Sequence, residues 1–163
     1  MGADPVLVFA TGAVKPGQPL LLNDNVCITL RFADGSVASI VYTADGAKAM
    51  PKEHVEMFGG GRCATIDDFR SVSLYEGDTG VRQVKGTQNK GQPQLLAAWV
   101  DGMRSGVGAL PIGTALAVSA ATIAAVESMT LGEAVPITPL LWQADDQAQA
   151  AAAAASLDEV ARP

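Results

Sequence analysis

From Pro5 to Lys85 the chain alternates apolar and polar residues in short runs, and turns rich in glycine and aspartate separate the runs. Extended segments joined by short connections must lie antiparallel, because parallel neighbours need a crossover of a dozen or more residues. This feature confines the first half of the sequence to antiparallel sheet. The clearest unit is Asn25–Phe32, NVCITLRF, followed by Ala33-Asp34-Gly35-Ser36 and a β-branched return segment, Val37–Thr43. Asp-Gly is the favoured centre of a two-residue type I′ turn, in which both central residues take positive φ. Further strands are expected at Val6–Ala10, His54–Phe58, Cys63–Ile66, Arg70–Glu76 and Val81–Lys85.

The pattern changes after Lys90. Leu95, Trp99 and Met103 recur at helical spacing, Pro93 falls in the first turn and Gly106 lies beyond the end, which predicts a helix over Gln92–Arg104. Thr114 is placed to cap a second helix that carries Leu116, Ala120, Ile123 and Glu127 along one side and stops at Gly132. Strands followed by helices predict an α+β fold: an open, mostly antiparallel β-sheet of about six strands with two C-terminal helices packed on one face. Residues 1–142 would form this domain. Residues 143–163 would form an Ala-rich tail, a frayed helix or disordered, because isolated helices under ~12–15 residues are marginal in water.

The stretch VEMFGGGRCATIDDF places Gly59, Gly61 and Ala64 in the spacing G-x-G-x-x-A. A dinucleotide fingerprint of that form needs a helix directly after it, whose N-terminus receives the pyrophosphate. Arg62–Phe69 is too short and too β-branched for such a helix, and it runs into another strand pattern. The glycines are therefore expected to form a hairpin turn, and no cofactor-binding residue is assigned.

Net charge is −6 and the eleven Lys and Arg are dispersed, so nothing supplies the basic stripe that neutralises phosphates; nucleic acid is excluded as a partner. A metal centre needs more nitrogen and sulfur ligands than one histidine, His54, and two cysteines provide. Cys27 and Cys63, with no signal peptide evident at Met1, are expected to be reduced core thiols in a cytoplasmic protein. No run is expected to reach the ~20 apolar residues of a membrane helix.

Pro51-Lys52-Glu53, Glu56, Phe58, the glycines and Ile66-Asp67-Asp68-Phe69-Arg70 resemble a segment of the C-terminal domain of Gfo/Idh/MocA-type oxidoreductases. The likeness is greatest to a subgroup in which that enzyme follows an alcohol-dehydrogenase-like half. The hairpin through Asp34-Gly35 resembles the preceding strands, and the Trp99 helix and AATIAAVESMTLG resemble the closing helices. The resemblance covers roughly Pro5 to Val135. It implies a domain that shapes a substrate pocket for a sugar or polyol hydroxyl and makes an oligomer contact, while a separate Rossmann domain, in cis or in trans, holds NAD(P).

The family's Glu-Lys-Pro and Asp-x-x-x-His signatures are absent: Pro51-Lys52-Glu53 runs in the reverse order, and Met50 stands four residues before His54. No catalytic residue is carried over, and the sequence reads as a piece beginning just after the catalytic helix. By itself the chain is expected to hold no dinucleotide and to be inactive. The alternative reading is a stand-alone dimeric scaffold or ligand-binding module without catalysis.

The substrate-pocket candidates are Lys52, Glu53, His54, Asp67, Asp68 and Lys90. Each has a plain structural counterpart: Lys52, Glu53 and His54 can pair across the sheet, Lys90 can be a solvated loop lysine, and one aspartate can receive turn amides or Arg70. Asp67 and Asp68, as adjacent strand residues, point to opposite faces and do not form a shared-proton pair. Finally, Cys27 and Thr29 on one strand with Ala38, Ile40 and Tyr42 on the next suggest a second sheet face too apolar for water. An isologous sheet-on-sheet contact would bury it, so a homodimer or larger assembly is expected.

Overall fold

The computed structural model of the chain describes residues 3–13, 16–17, 24–106 and 111–138. The chain divides into two compact units, residues 1–44 with 110–163, and residues 45–109. The α+β class holds, with eight strands in two four-stranded antiparallel sheets and two helices following β7 among the described residues. The Ala-rich tail expected at 143–163 lies outside the described residues.

In the first unit, β1 (Pro5–Gly12), β2 (Asn25–Phe32), β3 (Val37–Thr43) and β8 (Val135–Pro136) take the order β3-β2-β1-β8. The β2–β3 connection differs from the expected type I′ turn. Gly35 has φ +84°, but Asp34 does not enter the left-handed region. The Gly35 N–H bonds to the Phe32 carbonyl at 3.0 Å and the Phe32 N–H to the Ser36 carbonyl at 2.9 Å. That is a type I turn with a left-handed glycine as its bulge. The Asp34 carboxylate holds it by accepting the Ser36 N–H at 3.0 Å. The extra residue sets the register so that Ile28 faces Ile40 and Leu30 faces Ala38.

Helix α2 (Ile112–Leu131) lies over β1. Its buried residues are Ala120, Ala124, Ala125 and Ser128. Of the residues expected along one side, Ala120 is buried and Ile123 is exposed; alanine lets the helix approach the strand more closely than isoleucine would. With Val8, Ala10, Val135 and Ile137 these alanines make the core, and Ile28, Leu30, Ala121 and Met129 pack around it. The expected Thr114 cap is not formed: Pro111 is the N-cap and no side chain caps the end. By length and composition α2 could cross a membrane, contrary to the sequence expectation, and 28% of that span is buried.

Ser128 joins the layers. Odd residues of β1 bond to β2, as the 3.0 Å bond from the Ala13 N–H to the Asn25 carbonyl shows, so Ala10 directs its N–H toward β8. Strand β8 pairs Val135 with Val8 and stops, short of the position opposite Ala10. There the Ala10 N–H donates to Ser128 Oγ at 2.9 Å, and that hydroxyl donates to the Glu133 carbonyl at 2.6 Å. A side-chain hydroxyl thus completes the ladder where the strand ends, and Ser128 is fully buried in doing so.

In the second unit, β4 (His54–Gly59), β5 (Arg62–Asp67), β6 (Ser71–Glu76) and β7 (Gly80–Lys85) form a meander in chain order. The glycine triplet makes the β4–β5 hairpin: Gly60 and Gly61 have φ +56° and +73°, and Gly59 pairs with Arg62. Val55, Ile66, Val72 and Val84 share one sheet face; His54, Asp67, Ser71 and Lys85 share the other. Helix α1 (Gln92–Ser105) runs between left-handed Gly91 and Gly106 and has no buried residue, so its Leu95, Trp99 and Met103 stripe is exposed.

Candidate functional site

All six residues singled out from sequence gather in the second unit, at the end of its sheet where β4 begins and β5 ends. β-pairing brings the first two together: His54 faces Asp67 across β4 and β5, with Nδ1 2.7 Å from Asp67 Oδ1. Alternation along β4 places Glu56 on the same face, and its Oε1 lies 3.4 Å from His54 Nε2. Both ring nitrogens therefore meet carboxylates. The Asp67 hydrogen bond first, and Glu56 second, raise the imidazole pKa above its ordinary value. Below that raised value His54 is a cation with both N–H groups engaged.

A tight turn links β5 to β6. Asp68 and Phe69 both take left-handed backbone angles, φ +48° and +52°, and the Arg70 N–H closes the turn on the Asp67 carbonyl at 2.8 Å. Two consecutive left-handed residues without glycine cost roughly 1–2 kcal/mol each. The surroundings hold them there. The Asp68 N–H bonds to the Glu53 carbonyl at 2.6 Å and the Asn89 N–H to the Phe69 carbonyl at 3.0 Å. Gln88 Nε2 reaches both the Asp68 carbonyl, at 3.1 Å, and Asp68 Oδ1, at 2.9 Å. Arg70 Nε binds Asp68 Oδ2 at 3.0 Å. That guanidinium, with the Lys52 backbone N–H and Gln88 helping, holds the Asp68 carboxyl below its ordinary pKa.

The cluster closes with an ion pair between Lys90 Nζ and Glu53 Oε1. Lys52 enters it through its backbone amide rather than its ammonium. The site is thus a braced set of carboxylates, amides and cations, a chemistry that exchanges hydrogen bonds with hydroxyl groups. Sequence reasoning did not assign Glu56 or Gln88 to it. Glu56 could have been found, since it stands two residues from His54 on one strand; Gln88 had no such signal. The cysteines differ from expectation: neither is buried, and Cys27 is exposed.

The glycine turn does not fit a dinucleotide. The glycine turn leads straight into β5, with no helix to receive a pyrophosphate. Among the described residues no group of His, Cys, Asp and Glu is arranged to hold a metal ion. Two concavities open on the first unit, and neither is lined by any of the six. One, of about 570 Å3, lies over Ile28, Leu30, Ile40 and Ala121; the other, of about 340 Å3, borders Cys27 and Val41.

No protein-family model matches the chain and no curated protein does. Solved structures do. An oxidoreductase domain protein from Kribbella flavida superposes with a TM-score of 0.67 at 17% identity, over 84% of this chain and 45% of its own. UDP-N-acetylglucosamine 3-dehydrogenase from Acidithiobacillus ferrooxidans gives 0.60 at 16%, over 79% and 40%. Aldose–aldose oxidoreductase from Caulobacter crescentus gives 0.64 at 17%, over 83% and 42%. This chain shares their fold. The sequence resemblance to the C-terminal domain of Gfo/Idh/MocA-type oxidoreductases is borne out at that level, and the chain spans less than half the length of each of these three structures.

Proposed function

We propose that this chain is the substrate-binding and oligomerisation domain of an NAD(P)-dependent oxidoreductase acting on a sugar or polyol hydroxyl. The observation that carries this reading is the fold, which recurs in sugar-handling oxidoreductases and accounts for less than half of each of them. The dinucleotide belongs to a Rossmann domain, in the same polypeptide or in a separate one, because the glycine turn offers no cradle for it. Lys52, Glu53, His54, Asp67, Asp68 and Lys90 are the substrate-facing candidates, with Gln88 and Arg70 holding them in place. We place the protein in the cytoplasm, where its two free thiols stay reduced.

The assembly is a homodimer or larger, joined through the open face of the first sheet. Register corrects the composition of that face. Ala38, Ile40 and Tyr42 pair with Leu30, Ile28 and Val26 and therefore share their face; Ser39 and Val41 stand beside Thr29 and Cys27 on the open one. The mutual satisfaction of the polar cluster supports a second reading, a stand-alone dimeric module without catalysis.

Chemical-shift mapping with a panel of polyols and aldoses separates these readings from a purely structural cluster. Saturable shifts at His54, Asp67 and Gln88 support substrate binding, and a silent cluster throughout the panel refutes it. The reading frame upstream of Met1 separates the first two: a Rossmann sequence running into Gly2 supports the domain reading, and a nearby stop codon supports the module.

A further inference from the structure

The two sheets present four edges, and three carry devices that discourage strand addition. Strand β8 is two residues long and contains Pro136. Strand β4 carries His54 and Glu56, and β7 carries Arg82 and Lys85. The fourth edge, β3, reads VASIVYT: seven residues with no charge, proline or glycine. Val41 is 74% exposed and Ile40 47%.

The backbone polarity of this edge follows from the bonds that flank it. The Phe32 N–H bonds to the Ser36 carbonyl and the Ala44 N–H to the Asp24 carbonyl. Alternation between these bonds turns the polar groups of Ala38, Ile40 and Tyr42 inward to β2, and those of Ser39 and Val41 outward. Among the described residues no hydrogen bond reaches the outward groups of Ser39 and Val41.

We infer that β3 pairs with β3 of a second copy, antiparallel about a two-fold axis at Ile40, so that the two four-stranded sheets become one of eight strands. A strand paired antiparallel with itself is self-complementary, as an isologous contact requires. Centring the axis on Ile40, the middle of Val37–Thr43, gives the greatest overlap. Ser39 of each copy then exchanges both backbone bonds with Val41 of the other. Ile40 meets its own counterpart in a non-hydrogen-bonded pair, where side chains come closest. The facing Ile40 closes the open side of the apolar groove that Ile28, Leu30 and Ile40 line. This contact shares the expectation of a homodimer with the proposed function but uses the edge of the sheet, not its open face.

The test is site-specific cross-linking of the whole chain with Cys27→Ser and Cys63→Ser as background. Mild oxidation of Ile40→Cys is expected to give a covalent dimer, since the paired Cα atoms lie ~4.5 Å apart, within disulfide reach. Ala38→Cys is expected to give none, because its two copies are offset by four residues, roughly 13 Å along the strand. Sedimentation supplies the second arm. Ser39→Pro removes an outward N–H while keeping a small side chain on the open face, and Ile40→Lys sets like charges opposite each other on the other face; either, with wild-type circular dichroism, is expected to lose this dimer. Three results overturn the inference: a wild-type monomer at tens of micromolar, equal cross-linking at positions 38 and 40, or a dimer that neither Ser39→Pro nor Ile40→Lys weakens and Ile40→Cys fails to trap. The last leaves a face-to-face dimer standing.

Discussion

Replacing Ser128 with alanine tests the join between helix and sheet at a single atom. The hydroxyl accepts the Ala10 N–H at 2.9 Å and donates to the Glu133 carbonyl at 2.6 Å, and the residue is fully buried. Without it, water cannot reach the Ala10 amide, and β8 ends before the position that would bond it. A buried donor left unpaired costs about 1–3 kcal/mol, and the Glu133 carbonyl loses its donor as well. Alanine's higher helix propensity returns only a few tenths. The net expectation is a loss of about 2–3 kcal/mol, or roughly 4–12 °C in Tm for a chain of this size. Urea unfolding followed by far-UV circular dichroism measures it, with an unchanged slope showing that the native state is otherwise intact. Ser119→Ala is the control, because that serine bonds the Ala115 carbonyl of its own helix at an exposed position; it is expected to change stability by less than about 0.5 kcal/mol. Equal effects at both sites would refute the role given to Ser128.

Three further outcomes are expected. In an NMR titration the His54 midpoint lies above 6.5, and Asp67→Asn lowers it toward that value; because the folded-state pKa is raised, the stability this pair contributes is complete below 6.5 and disappears as pH rises through the folded value. Asp68 has the opposite sign: its folded pKa is lowered from 3.8, so its contribution is complete above 3.8 and is lost as pH falls through the folded value, and Asp68→Asn should remove that part of the acid dependence seen in urea midpoints. Gly61→Ala should destabilise by about 1–2 kcal/mol, since its φ of +73° is strained for any side chain, whereas Gly46→Ala, which has open space and no positive φ, should be near neutral in the same assay.

The strands could be read from sequence because a period of two and glycine-bearing turns are local signals. The observed β2 and β3 coincide with the segments expected. Which residues share a face was not legible, and one turn explains why. A two-residue turn at Asp34-Gly35 would have set Cys27 and Thr29 beside Tyr42 and Ile40. The bulge adds one residue, and a one-residue slip sends every side chain of β3 to the other face. The buried face of α2 was not legible either: close approach to β1 selects small residues, Ala120, Ala124 and Ser128, which hydrophobicity does not single out.

At the candidate site the residue types were legible and their convergence was not. Lys52–His54, Asp67-Asp68 and Lys90 are distant in sequence, and only the β4–β5 register and the segment before α1 bring them together. The left-handed pair Asp68 and Phe69 lacked any local signal, since phenylalanine rarely takes that conformation and longer-range hydrogen bonds impose it here.

The proposed function requires that the glycine turn, which leads straight into β5, be no seat for a dinucleotide. Calorimetric titration of the purified chain with NADH and NADPH tests it most directly. The account predicts no saturable heat up to millimolar ligand. A stoichiometric isotherm in the micromolar range, lost in Gly61→Ala, would contradict it.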